Sequence, residues 1–332
     1  MLVGSRYLRE NPGMVVDPFS EILSLTQAQA VHAGGFEAGG PWAIRFRSRH
    51  RIKMSAVLHG GCWFWFADEP ETKVRLAAGD IGLLTAQRDY VMASAPGLEP
   101  VEATGLFARE GLASAVLGDG ADFGFIGGHI LLNPGNGGLL ADVLPPWLHI
   151  GGGSPQAAAF GWLLGRLVEE ARGDLPGAQL ASSHLAQLLF TEILRSHLGA
   201  GGPLPAGWLR ALADPRTAPA LRLMHGDPGR EWRLDELARA CAMSRTSFAE
   251  HFKAVSGKAP LTYLTAWRMR LAERALRDET TAVAQIGLAL GYASESAFSN
   301  AFKRVTGSSP RAWRNAARDF NPSAGRATLA AG

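Results

Sequence analysis

From residue 15 to about 150 the chain sets short apolar runs between Gly, Pro, Asp and Asn at roughly ten-residue intervals. Trp42–Phe46, Met54–Leu58, Cys62–Phe66, Ile81–Leu84 and Tyr90–Ala93 have the length of strands. Many short strands with such turns, and Gly-rich loops at 135–138 and 151–153, predict a barrel or a sandwich. The period then changes. Phe160, Leu163, Leu164, Leu167 and Val168 fall at i, i+3, i+4, i+7 and i+8, and Leu185, Leu188, Leu189 and Ile193 repeat that spacing. Two amphipathic helices follow from it, separated by the breaker GDLPG at 173–177. GAGGPLPAG (199–207) reads as a linker, and the remainder to about 318 is helical in pattern. The tail SAGRATLAAG is expected to be disordered.

Within the helical part a small pattern occurs twice. TSFAEHFKAVSGKAP (246–260) and SAFSNAFKRVTGSSP (296–310) share Phe, Phe, Lys, Val, Gly and Pro in the same order and spacing. Each copy reads as helix–turn–helix. In the first, Leu234, Leu237, Ala238 and Cys241 mark the supporting helix, Ala242-Met243-Ser244 the turn, and Phe248 and Phe252 the anchors of a second helix. Arg245, Thr246, Ala249, Glu250 and Lys253 are then left facing outward. In the second, Val283, Ile286, Ala289 and Leu290 support, Gly291-Tyr292 begins the turn, and Phe298 and Phe302 anchor. Ser294, Glu295, Ser296, Ser299, Asn300, Lys303 and Arg304 face outward. Gly257 and Gly307 suit C-caps. The unbroken stretch Leu261–Leu276 predicts a rod of roughly 24 Å. Such a spacer could hold two reading helices about one DNA turn apart, roughly 34 Å. A helical bundle with two packing-driven hairpins would share the Phe spacing, but it does not account for the outward polar helices and the charge together.

Charge adds to this picture. Residues 204–318 hold 18 Lys/Arg against 10 Asp/Glu, a surplus of +8, out of 33 and 30 in the whole chain. The rest therefore holds 15 against 20, or −5. A basic part joined to an acidic one points to a polyanion as partner of the former. At 332 residues the chain has room for two domains. No apolar run approaches the roughly 20 residues that cross a bilayer, and MLVGSRYLRENPG is not a secretory signal. Two cysteines far apart, Cys62 and Cys241, make neither a disulfide framework nor a metal finger, so a cytoplasmic protein is expected.

WRLDELARACAMSRTSFAEHFKAVSGKAPLTYLTAWRMRLAERAL and AQIGLALGYASESAFSNAFKRVTGSSPRAWR, within 218–318, resemble the DNA-binding domain of the AraC/XylS family of bacterial transcription regulators. The resemblance implies two helix-turn-helix units joined by a long helix, with helices near 245–255 and 295–305 entering successive major grooves. By position, Arg245, Thr246, Ala249 and Glu250 would read bases in the first unit, and Ser296, Ser299 and Asn300 in the second. Lys253, Lys303 and Arg304 lie where phosphate contacts are expected. Ala249 and Glu250 depart from members with long basic residues there and make a poor reader of guanine; Ala can touch a thymine methyl, Glu can accept from cytosine N4, and Asn300 suits adenine. PWAIRF (41–46), AVLHGGCWFWF (56–66), LAAGDIGLLTAQRDYVMAS (76–94) and DVLPPWLHI (142–150) resemble the cupin-type sensor domain of one subgroup of that family.

The fold class expected is therefore α+β multidomain. A cupin-like antiparallel β-barrel at 15–150 senses an effector, a helical linker and dimerisation region spans 155–200, and an all-α double helix-turn-helix domain spans 204–318. In the strand Cys62–Phe66 either Trp63 and Trp65 or Phe64 and Phe66 point inward. The ligand set named is Trp42, Arg45, His59, Trp63, Trp65, Tyr90 and His129, and an aromatic or otherwise planar small molecule is the expected effector. Metal-binding cupins carry His where this chain has Ser55 and Tyr90. His59, Cys62, His129 and His149 could converge on zinc, but their spacing matches no closed site, so no metal and no cofactor are assigned. Neither a Ser/His/Asp set nor a phosphate loop is recognisable, and an enzyme is not expected. The expectation is a dimeric, effector-responsive transcription regulator of double-stranded DNA, with RNA polymerase as a further candidate partner and no membrane contact. Two alternatives stand beside it: a DNA-binding protein whose barrel only dimerises or contacts another protein, and a cupin metalloenzyme with a helical appendage.

Overall fold

The computed structural model describes residues 17–26, 29–47, 52–106, 114–118, 121–131, 144–172, 175–202, 204–277 and 280–319. The predicted loop 135–138 lies outside them. The chain divides into two compact units, Thr26–Pro205 and Met1–Leu25 together with Ala206–Gly332. Among the described residues no helix is long and apolar enough to cross a membrane.

Among the described residues helix α1 (Pro18–Thr26) comes first and the β unit follows. Its strands are β1 (Gln29–Ala38), β2 (Ala43–Phe46), β3 (Ile52–His59), β4 (Gly61–Phe66), β5 (Val74–Ala77), β6 (Ile81–Leu84), β7 (Tyr90–Ala93) and β8 (Val101–Glu102). After the short helix α2 (Ala103–Leu106) come β9 (Ser114–Leu117), β10 (Phe123–Leu131) and β11 (Trp147–Ile150). They form two sheets, ordered β11-β6-β3-β10-β1-β9 and β5-β4-β7-β2-β8. The cupin-like domain thus takes the form of two sheets rather than one closed barrel, and β1 with β9 and β2 with β8 pair parallel. A two-residue hairpin can join only antiparallel neighbours, and both of these edge strands arrive after long excursions of chain.

The core between the sheets is aromatic. Phe36, Phe123 and Phe125 from the first sheet meet Trp42, Phe46, Phe64, Phe66 and Tyr90 from the second. Strand alternation settles the β4 question in favour of Phe64 and Phe66. Trp63 and Trp65 lie on the opposite face with Ala43, Val91 and Ala93, partly covered by Leu98. At one corner Asp80 accepts the amides of Ala77 and Gly152 and contacts His149 Nε2 at 3.1 Å. Burial pushes the Asp80 carboxyl up, but these hydrogen bonds outweigh it and hold it below the usual carboxylate range.

A helical hairpin follows, α3 (Ala157–Arg172) and α4 (Ala178–Gly199), in which α3 packs on α4 and α4 packs onto β1 and β11. Phe160, Leu163, Leu164 and Leu167 are buried as their spacing requires. The stripe Leu185, Leu188, Leu189, Ile193 is divided, however. Leu189 and Ile193 are fully buried inside the unit, whereas Leu188 is 46% exposed. Residues three and four apart share a face only approximately, and the sheet takes the inner pair.

The other unit holds α5 (Trp208–Ala213), α6 (Ala218–Gly226), α7 (Leu234–Ala240), α8 (Arg245–Ser256), α9 (Pro260–Ala275), α10 (Val283–Ala289), α11 (Glu295–Thr306) and α12 (Pro310–Asp319). It also holds α1, in a stretch the sequence pattern assigned to the β-rich part. Asp17 caps α1 by accepting the amides of Phe19 and Ser20. Phe19, Ile22 and Leu25 are buried along one edge, and the Phe19 ring lies 6.3 Å from that of Trp208. Glu21 Oε2 is 3.1 Å from Nδ1 of the buried His225, whose Nε2 is 2.9 Å from the Tyr263 hydroxyl. This pattern fits a neutral imidazole that donates from Nδ1 to the carboxylate and accepts at Nε2 from the phenol. Burial draws the His225 pKa down, opposed by Glu21 and Asp17.

Candidate nucleic-acid interface

Both copies of the repeated pattern fold as helix–turn–helix: α7 with α8, and α10 with α11. Phe248, Phe252, Phe298 and Phe302 are fully buried, with ring centres 5.5 Å apart in the first pair and 5.8 Å in the second. Ser244 caps α8 by accepting the Ser247 amide at 3.2 Å, and Ser294 caps α11 by accepting the Ala297 amide at 3.1 Å. Gly257 and Gly307 close the two helices at φ 75° and 81°. The turns differ. Cys241, Ala242 and Met243 separate α7 from its cap, with Ala242 at φ 53°, whereas Leu290, Gly291, Tyr292 and Ala293 separate α10 from its cap, with Gly291 at φ 81°. The second turn is one residue longer and gives its left-handed position to glycine.

The outward sets are placed together on each helix. Arg245, Thr246, Glu250 and Lys253 are exposed on α8, with Ala249 half-buried. Ser294 at the cap and Glu295, Ser296, Asn300, Lys303 and Arg304 on α11 are exposed, with Ser299 half-buried. Among the described residues Arg245 approaches Asp235 at 3.7 Å and Glu295 approaches Arg311 at 3.6 Å. No ion pair of Lys253, Lys303 or Arg304 occurs among them. Exposed cations without internal partners can neutralise phosphates without first giving up a bond.

What holds the copies to each other is α9, 16 residues long and thus about 24 Å. Its Arg268 donates to the carbonyls of Pro228 and Arg230 at 2.6 and 2.8 Å and lies 5.8 Å from the Tyr292 ring of the second turn. Beneath it the backbones of Gly229 and Gly291 approach so closely that a Cβ on Gly291 would lie 2.1 Å from the Gly229 carbonyl oxygen. His251 on α8 is tied to Asp214 at 2.8 Å. The reading helices are held by buried and bonded groups, not by a flexible linker.

Among the described side chains the ligand set does not converge. Trp42 and Tyr90 face the core between the sheets. Trp63 and Trp65 lie on the opposite face, where alternation also places Arg45, whose Nε is buried without a hydrogen-bond partner among the described residues. His59 is exposed, and the side chain of His129 lies outside the described residues. Of the four metal candidates, the side chains of His59, Cys62 and His149 are described. Cys62 is buried, and burial pushes its thiol up to about 12. His149 is engaged with Asp80, and among the described residues no cluster of three or more His, Cys, Asp or Glu is placed to hold a metal ion. Two features escaped sequence reasoning. One is the α1 contact with His225, whose partners are 204 positions apart. The other is Lys53, an apolar-strand lysine whose ammonium lies over the rings of Phe46 and Tyr90.

A family described as Cupin matches residues 17–199, and one described as Helix-turn-helix domain matches residues 237–316. The chain is 39% identical to an AraC-like transcription regulator of Streptomyces lividans, over 90% of this chain and 98% of that one. It is 38% identical to another from Streptomyces antibioticus, over 90% and 98%. Among solved structures, the DNA-binding domain of AdpA, the global transcriptional factor, in complex with a target DNA, is 31% identical over 33% of this chain and 97% of that one, with a TM-score of 0.31.

Proposed function

The chain belongs to the AraC-like transcription regulators, with a cupin-type domain and a DNA-binding helix-turn-helix domain, and from that premise we propose that α8 and α11 read successive major grooves of one operator while the β unit senses a small molecule. The observation that carries this is the pair of serine-capped helices with polar outward faces, held on one 16-residue helix. Arg245, Thr246, Ala249 and Glu250, with Ser296, Ser299 and Asn300, meet base edges. Lys253, Lys303 and Arg304 meet phosphates. A titration of operator binding between 50 and 200 mM salt tests it: Lys253→Ala and Lys303→Ala should each flatten the log–log slope by about one unit. Binding indifferent to salt rejects the assignment.

The protein works as a cytoplasmic homodimer, and RNA polymerase is the partner a regulator beside a promoter would meet. The α3–α4 hairpin supplies a seam, because Trp162, Leu180 and Leu188 are exposed on it, Trp162 at 62%. Leu188→Glu should yield folded monomers by sedimentation. Coupling to the operator runs through α1 as well as the 199–207 linker, since α1 packs in the helical unit and leads within three residues into β1. The ring-filled core between the sheets favours a second reading, in which the β unit only dimerises. Operator affinity of the full chain with and without cell extract separates the two.

A further inference from the structure

One end of the core between the sheets carries groups that packing does not call for. Lys53 on β3 is registered with Leu84 on β6, and Leu84 with Trp147 on β11. Facing this row, Tyr90 on β7 is registered with Phe66 on β4 and Phe46 on β2. The Lys53 ammonium lies 5.3 Å from the Tyr90 ring centre and 5.8 Å from that of Phe46. Those two rings stack at 4.9 Å and 12°. Beside them Trp147 stacks on Phe64 at 4.3 Å and 13°, over Gly82, where a Cβ would lie 1.9 Å from the indole.

Two of these groups lack what they need. Lys53 makes no ion pair among the described residues, and burial draws its pKa down, with Asp89 opposing. Two aromatic faces return only part of what it costs to take a cation out of water. The Trp147 Nε1 is buried and has no hydrogen-bond partner among the described residues. Neighbouring polar groups are engaged: Ser55 donates to the Gly82 carbonyl and Asp80 is saturated by two amides and His149.

We propose that Lys53 binds the carboxylate of a small monocarboxylic acid whose flat apolar body lies against Phe46, Tyr90 and Phe64, with an acceptor oxygen of the same molecule on the Trp147 N–H. The site offers one cation and one N–H, which suits a monoanion; a phosphate dianion would need more of both. Lys53 and Trp147 stand two strands apart, about 10 Å between backbones, a span that a substituted single-ring acid covers. The inference rests on reading the β unit as the sensor and names its ligand class.

The test is direct binding to the full chain without DNA, by calorimetry and thermal shift. The probes are phenylacetate and 4-acetylphenylacetate against their amides. The acids should bind at least tenfold tighter than the amides. Lys53→Met should abolish that preference while raising the melting temperature of the unliganded protein. Trp147→Phe should erase the advantage of the acetyl compound. Acids binding no better than amides, or an acid preference that survives Lys53→Met, overturns the proposal. Should Lys53→Met not fold, the Lys53 side-chain NMR signal decides: displacement by acid but not amide supports the site, and none overturns it. Acid binding that leaves operator affinity unmoved keeps the site and rejects sensing. An operator response unaltered in Lys53→Met keeps sensing and rejects the site.

Discussion

The two helix–turn–helix copies share a buried Phe pair and an outward Lys, and differ in most of the rest that faces out. Both bury a Phe pair four residues apart, cap with serine and close with glycine. Yet α8 presents Thr246, Ala249 and Glu250 where α11 presents Ser296, Ser299 and Asn300, and the second turn is one residue longer. Packing and reading are therefore set by separate residues. A scaffold repeated in full can carry two unlike reading surfaces, since outward positions cost little stability to change.

The strongest way to break that comparison is through its shared part. Phe252→Ala and Phe302→Ala each empty a fully buried site and should cost about 3–5 kcal/mol. Phe252 also meets Tyr263 edge-on at 5.7 Å, and Phe302 meets Trp313 at 6.1 Å, so the two losses should be close. Thermal unfolding of the full chain checks this. A loss below 1 kcal/mol in one copy alone would show that it is not packed like the other.

The unlike part should respond in binding rather than in stability. Asn300→Ala should remove about 1–3 kcal/mol of discrimination at one base pair and leave unfolding unchanged. Glu250→Gln removes an exposed acid from the face of α8 and should tighten overall binding severalfold while changing the preference at the base pair it meets. Affinity measured over a set of single-base operator variants distinguishes the two. If Asn300→Ala weakened every variant equally, α11 would not be reading bases at that position.

The caps are a finer comparison. Ser244→Ala and Ser294→Ala each leave one first-turn amide without its acceptor and should cost about 1 kcal/mol. Ser244 Oγ also bonds Ser247 Oγ at 2.9 Å, so the first copy should lose slightly more. Hydrogen exchange at the first turns of α8 and α11 reads both in one experiment. Equal protection in variant and parent would mean that the caps are not formed in solution.

How legible each region was in the sequence follows from the range of its contacts. The helix–turn–helix copies are built from neighbours three to five residues apart, so Phe248, Phe252, Phe298 and Phe302 declared their roles by spacing alone. In the β unit alternation showed that strands exist, but which face of β4 is inward depends on partners such as Tyr90, registered with Phe66. Lys53 was hidden for that reason: in IKMSAVLH a polar residue between apolar ones reads as solvent-facing, and only the second sheet makes it inward. Helix α1 has nine residues and three buried anchors, too few for a periodic signal, and its buried partner His225 lies far along the chain.

That last contact gives the smallest expected effect and bears only on the first copy. His225 belongs to α6, which packs on α7, and its Tyr263 partner belongs to α9. The groups around its ring are Glu21 from α1, Asp17 at the cap of α1, and Tyr263 and Trp267 from α9. Burial lowers the folded-state pKa of His225 below 6.5, the value expected once it is unfolded. The unfolded chain therefore takes up this proton first as the pH falls. The contribution of His225 to stability is whole above about pH 6.5 and declines below it, toward the folded-state pKa. Hydrogen exchange in α6 and α8, corrected for its intrinsic pH dependence, should quicken severalfold between pH 7 and pH 5.5 while α11 changes less. His225→Gln keeps a donor and an acceptor in place and removes the titration, leaving His251 and its bond to Asp214 untouched. It should abolish the difference between the copies. A pH response that persists in His225→Gln would place the titrating group elsewhere, and an equal response in α11 would mean that α1 and His225 do not act on the first copy alone.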